Sequence, residues 1–262
     1  MFGGAQSFLL LCDDGYPYVV KFQNNGQHLR VLANEWMAAK LMKHLQLPVP
    51  LCDIVQVDQS LIEATPELSI VRCDGGIELP AEPCLAGKHF GSRCAGGLLP
   101  SVTAVDYLPQ EDLLNVANLT AFCGALAFDK WVCNRDSRQA VFHKKYGAVK
   151  YKAQFIDHGH CFGGIWGFID IRSGTYPRHC VYRQVRGWAS FEPWLTQIEE
   201  ISADTIWGSA STIPTEWYDD DRIALEELVT QLERRRSRVR EIIVAFRNSD
   251  GKPFPNWLPS KY

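Results

Sequence analysis

The stretch FIDHGHCFGG, residues 155–164, is the part of the sequence that is most informative about the fold. It begins as the apolar end of a strand-like run and passes at once into Asp157, followed by two histidines, a cysteine and glycines. An acid in this place has two explanations. It can belong to a turn, where aspartate is common, or it can be a carboxylate held at a strand end to bind a metal ion. The surrounding sequence has to distinguish them.

Composition indicates a globular protein without an obvious polyanionic partner. The chain has 262 residues, of which 46% are hydrophobic and 22% charged, and its net charge is −3. We therefore expect no nucleic acid and no membrane among its partners. The N-terminus lacks the basic region of a signal peptide, and the nine cysteines are scattered without a CxxC pair. These features predict reduced thiols and a cytoplasmic location.

The first third of the chain is dominated by strand-like runs. Asp14-Gly15 is a hairpin signal between SFLLLC and YPYVVKF, and residues 31–45 place apolar side chains at helical spacing until two prolines stop the pattern. Short strand-like runs follow at residues 53–57, 60–64 and 68–71. One helix and several strands are therefore predicted before residue 73.

The rest of the chain changes character twice. Residues 73–101 are rich in Gly, Pro and Cys and are predicted to be an irregular joint. Helical patterns then cover residues 111–131, 191–201 and 219–246, with two strand-like runs at 139–143 and 151–157. The sequence predicts an α+β fold in two lobes, a strand-rich N-lobe over 1–101 and a mainly helical C-lobe over 102–262. A ligand cleft is expected between them.

Several polar residues stand in an order that suggests phosphate chemistry. Glycines in GGAQS, residues 3–7, would let backbone N–H groups approach phosphate oxygens. Lys21 lies inside a strand and Glu35 inside the first helix. Each feature alone is more typical of a flexible terminus or a solvent-facing side chain. Together they resemble the strand lysine and helix glutamate that form an ion pair in kinases.

Two further acids flank the predicted strand pair. Asp136 precedes the first of these strands and Asp157 follows the second, 21 residues later. In phosphoryl transfer one such acid positions the acceptor hydroxyl and the other binds Mg²⁺. Taken singly, each acid also fits a turn.

Three segments carry a resemblance to a family. GGAQSFLLLCDDGYPYVVKFQNN with LANEWMAAKLMKHLQLPVP, FDKWVCNRDSRQAVF, and FIDHGHCFGG are similar to the bacterial HipA-like kinases. FIDHGHCF also resembles the metal-binding motif of phosphatidylinositol 3/4-kinases. The resemblance implies a two-lobed protein kinase-like fold and an ATP- and Mg²⁺-dependent kinase, most simply directed at Ser or Thr hydroxyls of a still unidentified acceptor.

The resemblance also implies roles for individual residues. Lys21 would contact ATP phosphates, with Glu35 paired to it, and Asp136 would be the catalytic residue. Asp157 would bind Mg²⁺. The implied phosphate loop consists of Gly3, Gly4, Gln6 and Ser7. His158 and His160 are expected to pack or support rather than to coordinate.

One departure from the kinase pattern leaves alternatives open. Related kinases carry an asparagine after the catalytic aspartate as a second metal ligand, whereas this chain offers Gln139, with Asn134 as another amide. Gln139 is the predicted second ligand. The departure keeps a nucleotide-binding pseudokinase as an alternative. A kinase for a small molecule or lipid head group, and a self-modifying regulatory kinase, remain further alternatives.

Overall fold

The structure is a computed structural model. It describes residues 6–74, 77–94, 102–169 and 174–258. In chain order the strands are β1 (Phe8–Leu11), β2 (Pro17–Lys21), β3 (Cys52–Val57), β4 (Ser69–Ile70), β5 (Cys73–Asp74), β6 (Ile77–Glu78), β7 (Glu82–Pro83), β8 (Gly87–Arg93), β9 (Val102–Val105), β10 (Gln139–Lys145) and β11 (Lys152–Ile156). The helices are α1 (Val31–His44), α2 (Gln59–Ala64), α3 (Gln110–Leu114), α4 (Ala121–Trp131), α5 (Trp194–Glu200), α6 (Ala203–Ala210), α7 (Arg222–Arg236) and α8 (Val239–Arg247). The predicted α+β class is confirmed.

The N-terminal sheet has four antiparallel strands in the order β1-β2-β8-β3. Its interior strand β8 lies in the stretch 73–101 that was predicted to be irregular, so that part of the prediction was wrong. Gly91 shows why the glycine-rich composition of this stretch led to the wrong prediction. A Cβ atom on Gly91 would lie 2.4 Å from Val55 Cγ2, so this glycine permits close strand packing rather than breaking the strand.

Three other local predictions need correction. The helical pattern over 219–246 is divided between α7 and α8. Residues 60–64 form most of α2 instead of a strand, because a run of five residues does not separate a helical from a strand period. The pattern over 111–131 is divided between α3 and α4. In the segment between these two helices, the Asn118 side-chain amide donates to the Ala153 carbonyl and accepts the Ala153 N–H, at 2.9 Å each. These hydrogen bonds attach the non-helical segment to β11.

Helix α1 is almost entirely buried. Residues such as Leu32, Met37 and Leu41 are fully buried in the main hydrophobic core, which continues through α4 to α8. A smaller cluster containing Val20 and Phe22 lies on the other face of the N-terminal sheet. Lys21, between them in sequence, points to the α1 side because successive strand residues face opposite ways. The division into two lobes at residue 101 stays a prediction.

A second sheet of order β11-β10-β9 carries the other residues of interest. β10 and β11 are antiparallel, with Gln139 opposite Ile156. The start of β10 and the end of β11 therefore meet beside α1. No helix within the described residues combines the length and apolar composition needed to cross a bilayer.

Candidate active site

Lys21 and Glu35 form a buried ion pair. Lys21 ends β2 and its Nζ contacts Glu35 Oε1 on α1, with side chains 12% and 2% exposed. Burial alone would lower the pKa of Lys21, but the charges of Glu35 and Asp157 outweigh it and raise that pKa above its ordinary value. The ammonium therefore remains charged in a region where anionic ligands could reach it. The pairing predicted from sequence is present.

Asp157 joins this pair at the end of β11. Its Oδ1 lies 2.8 Å from Lys21 Nζ. Burial favours the neutral acid, yet the Lys21 charge and hydrogen bond lower the pKa of Asp157 below its ordinary value, so the carboxylate is ionised at neutral pH. Its φ of +60° lies in the left-handed region, which aspartate tolerates better than most residues. Strained backbone of this kind is concentrated at functional sites.

Gln139 is the fourth member of the group. Its Nε2 donates to Asp157 Oδ2 at 2.7 Å. The amide oxygen of Gln139 is therefore available to a ligand beside the Asp157 carboxylate. The structure thus brings Lys21, Glu35, Asp157 and Gln139 into one chain of hydrogen bonds.

Asp136 lies in the loop three residues before Gln139. Its side chain is exposed, and its Oδ1 accepts the Ser137 N–H at 2.7 Å. The loop is supported from inside by Asn134, whose amide oxygen accepts the Asp136 N–H at 3.1 Å and whose NH₂ donates to Asp129. Asn134 is buried. This arrangement favours Gln139 over Asn134 as the amide available beside Asp157.

The predicted phosphate loop is only partly visible. Gly3 and Gly4 lie outside the described residues. The Gln6 amide is engaged with the backbone of Val71, accepting its N–H at 2.9 Å and donating to its carbonyl. A phosphate contact by Gln6 would therefore come from its backbone, and the role of Ser7 stays a prediction.

A comparison with protein families agrees with a kinase site of this kind. A family model described as HipA-like kinase matches residues 2–248, nearly the whole chain. The chain belongs to the HipA-like kinase family. The resemblance seen in the sequence is thereby confirmed, and the protein is a kinase. Among curated proteins, none matches this HipA-like kinase.

Solved kinase structures share the fold at low sequence identity. A Golgi casein kinase with Mn/ADP bound matches with a TM-score of 0.55 and 15% identity, covering 100% of this chain and 76% of that one. The Helicobacter pylori proinflammatory kinase CtkA matches with a TM-score of 0.52 and 14% identity, covering 92% of each chain. Hydra Fam20 with sugar matches with a TM-score of 0.54 and 12% identity, covering 98% of this chain and 85% of that one.

Sequence inspection missed the ion pair beneath the site. Arg138 donates from Nε to Asp129 Oδ2 at 3.1 Å, and both side chains are almost fully buried. Arg138 Nη1 also contacts His158 Nδ1 at 2.8 Å and the Ile156 carbonyl at 3.1 Å. Burial, followed by the Arg138 charge, lowers the pKa of His158 well below its ordinary value, so the ring is neutral. The pair joins α4 to the start of β10 and the end of β11.

Glu35 and Asn34 hold the loop that follows Asp157. Glu35 Oε2 accepts the His158 N–H at 2.9 Å. The fully buried Asn34 donates to the carbonyls of Gly159 at 2.7 Å and Gly164 at 2.6 Å, and accepts from Trp166 Nε1 at 2.8 Å. Neighbouring residues of one helix turn thus fix both the lysine and the loop. Asn34 could not be recognised from the sequence, because a pattern of helical residues does not show which distant groups an asparagine contacts.

Replacing Asn34 by alanine is expected to lower the free energy of unfolding by about 3 kcal/mol, because it leaves two buried carbonyls and an indole N–H without partners. Urea denaturation measures the change, and limited proteolysis tests whether residues 159–169 become accessible. The exposed Asn248 provides a control, whose alanine variant should change stability by less than about 0.5 kcal/mol. Equal stability of the two variants would contradict the assigned role of Asn34.

The donors around Asp157 suit a hard divalent cation. Asp157 offers a carboxylate and Gln139 an amide oxygen, which are ligands that Mg²⁺ accepts. Among the described residues, no group of three His, Cys, Asp or Glu side chains could hold a metal by itself. Magnesium in kinases uses one or two protein oxygens together with substrate phosphates, so the sparse donor set fits a metal that arrives with a nucleotide.

Proposed function

We propose that this HipA-like kinase transfers the γ-phosphoryl group of ATP to a Ser or Thr hydroxyl in an Mg²⁺-dependent reaction. The observation that carries the proposal is the hydrogen-bonded group of Lys21, Glu35, Asp157 and Gln139. A cation fixed by one acid beside a second, ionised acid is the arrangement needed to hold a triphosphate and its metal. The Golgi casein kinase with bound Mn/ADP adds support for nucleotide and divalent metal use.

The nucleotide would lie on the α1-facing side of the N-terminal sheet. Lys21 would donate to phosphate oxygens, and Glu35 would keep its ammonium in place. Leu9 shares this face of the sheet, as strand alternation and its pairing with Val19 imply, and is 57% exposed. An uncovered leucine on the same face as the lysine offers apolar surface for the base.

Asp157, Gln139 and Asp136 would have the remaining roles in the reaction. Asp157 and Gln139 would hold Mg²⁺, which when bound neutralises charge on the phosphate oxygens. Asp136 would orient the acceptor hydroxyl and take its proton as the oxygen bonds to the γ-phosphorus. The bond from that phosphorus to the β–γ bridging oxygen breaks, and ADP leaves. Positioning and charge stabilisation provide most of the catalysis in such a reaction.

A γ-labelled ATP transfer assay with Mg²⁺ or with EDTA tests the proposal. Label should appear on a generic protein acceptor or on the kinase itself only with Mg²⁺, and phosphoamino-acid analysis should find it on Ser or Thr. ATP binding without transfer to any acceptor would instead favour the pseudokinase. Label found on lipid or sugar acceptors alone would keep the kinase but reject the Ser/Thr assignment.

Replacing Lys21 by alanine should weaken ATP binding by about 10- to 100-fold, the effect of losing one charged phosphate contact. Isothermal calorimetry with Mg²⁺ measures it. The exposed Lys43 of α1 provides a matched variant, Lys43→Ala, which should bind as the wild type does. Because the Lys21 variant leaves two carboxylates unpaired, its folding is checked by circular dichroism. A folded variant with unchanged ATP affinity would exclude a phosphate role for Lys21.

A further inference from the structure

A cavity of about 470 Å³ lies on the N-terminal sheet, on the face opposite Lys21. We name it the acidic groove. Tyr18 contributes to its lining, and strand alternation puts Tyr18 on the other face from Lys21. Four carboxylates surround the groove, those of Asp13, Asp14, Asp53 and Asp58. No lysine, arginine or histidine of the described chain lines it, although acidic and basic residues are almost balanced overall, 30 against 27.

The groove also offers apolar surface between the acids. Leu10, Val55 and Leu61 line it, and Leu61 is 43% exposed. Tyr18 donates its hydroxyl proton to Asp14 at 2.9 Å. Burial, and then Asp14, raises the pKa of Tyr18 to about 12, against the charge of Arg93, its partner on β8, which lowers that pKa. A ligand for this groove needs positive charge on its flanks and an apolar centre.

The turn between β10 and β11 has the opposite chemistry. We name residues 144–152 the lysine tip. It carries Lys144, Lys145, Lys150 and Lys152. No acidic residue occurs between Asp136 and Asp157, and none of these lysines forms an ion pair within the described residues.

The lysine tip also presents apolar side chains to solvent. Tyr146 is 93% exposed and Val149 is 90% exposed. Such values show that these two side chains are not covered by the acidic groove or by any other described surface of their own molecule, whereas Tyr151 at the base of the tip packs against the main core. An aromatic and an aliphatic side chain between lysines, uncovered at the end of a hairpin, are typical of a contact surface.

We propose that the lysine tip of one molecule docks in the acidic groove of a second copy of this chain. Lys145, Lys150 and Lys152 share one face of the hairpin and would face the four aspartates, while Lys144 lies on the other face, over the Tyr151 ring. Tyr146 and Val149 would cover the apolar floor. The other basic run, residues 233–240, is a weaker candidate because most of its arginines bind groups within the same molecule. Arg240, for example, pairs with Glu199 at 2.6 Å and Arg235 donates to the Trp131 carbonyl at 2.8 Å. The proposal is independent of the phosphoryl transfer proposed above.

The tip and the groove are different surfaces, and this limits the forms that the assembly can take. Copies can add in a row, each tip entering the groove of the next molecule, or two copies can exchange tips about a twofold axis. A single hairpin tip buries little area, and contacts below about 1,200 Å² are weak or transient. Exposed charge pairs are screened by salt. We therefore expect concentration-dependent association that weakens as salt is raised.

Sedimentation velocity of the full chain tests the proposal, from about 10 to about 500 µM and at low and high NaCl, where screening lengths are about 10 Å and about 3 Å. The tip variant carries Lys145→Glu and Lys150→Glu, and the groove variant carries Asp13→Lys and Asp53→Lys. All four positions are exposed. Each variant alone should associate at least about tenfold more weakly than the wild type, because attraction becomes repulsion.

An equimolar mixture of the two variants should restore association, because the reversed tip fits the reversed groove and the two native surfaces still match. A control variant with Lys43→Glu and Lys252→Glu, also exposed, should behave as the wild type does. Monomers at the highest concentration in low salt would overturn the proposal. So would equal loss in the control variant, a mixture that stays monomeric, or a monomer whose lysine tip binds phosphatidylserine vesicles or single-stranded RNA instead.

Discussion

Replacing Asp136 by asparagine is expected to lower kcat for phosphoryl transfer by about 10²- to 10⁴-fold, the range that a positioned proton acceptor contributes. Asparagine keeps the size of the side chain and an oxygen that can accept the Ser137 N–H, now at 2.7 Å. It cannot take the hydroxyl proton. Asp136 is exposed and forms no ion pair within the described chain, so the fold and the affinity for ATP should be preserved.

Steady-state transfer kinetics and calorimetric ATP binding measure the two effects separately. The exposed Asp250 provides a control, and its asparagine variant should retain wild-type kcat. If Asp136→Asn weakened ATP binding as much as turnover, Asp136 would support the site rather than act in the reaction. If turnover stayed within a factor of about three, a barrier change of less than 0.7 kcal/mol, the proton acceptor would have to be sought elsewhere.

Part of this site could be predicted from the sequence because some of its residues differ in character from their immediate sequence neighbours. Lys21 interrupts a β-branched run, and Asp157 follows a strand directly. Each departs from the pattern expected of its element. The order of such departures along the chain matched a kinase, and the structure brings Lys21, Glu35, Asp157 and Gln139 together.

The residues that support the site from below could not be recognised in this way. Arg138 and Asp129 are charged residues that a sequence pattern assigns to the surface, yet both are buried and joined. Their burial depends on the meeting of α4, β10 and β11, which is a property of the assembled fold. Strand β8 was missed for a related reason, since Gly91 allows a close approach to Val55 of β3, a residue distant in sequence.

Replacing Asp157 by asparagine is expected to reduce transfer to the background of the assay, a loss of about 10³-fold or more, because the charge that would hold Mg²⁺ is removed. Asparagine adopts the left-handed backbone as readily as aspartate, so the φ of +60° adds no strain. Lys21 keeps Glu35 as its partner. The fold should therefore persist, which makes this variant more informative than Asp157→Ala, where alanine would bear the backbone strain.

The decisive measurement is ATP affinity with Mg²⁺ and with EDTA. The wild type should bind more tightly with Mg²⁺, and Asp157→Asn should show no such difference. Asp219 supplies a matched control, being an exposed aspartate with a φ of +55°; Asp219→Asn should retain both the Mg²⁺ effect and the activity. A Mg²⁺ effect that survived in Asp157→Asn would mean that the metal is held by other oxygens. Asp157 would then serve only to position Lys21, which it contacts at 2.8 Å.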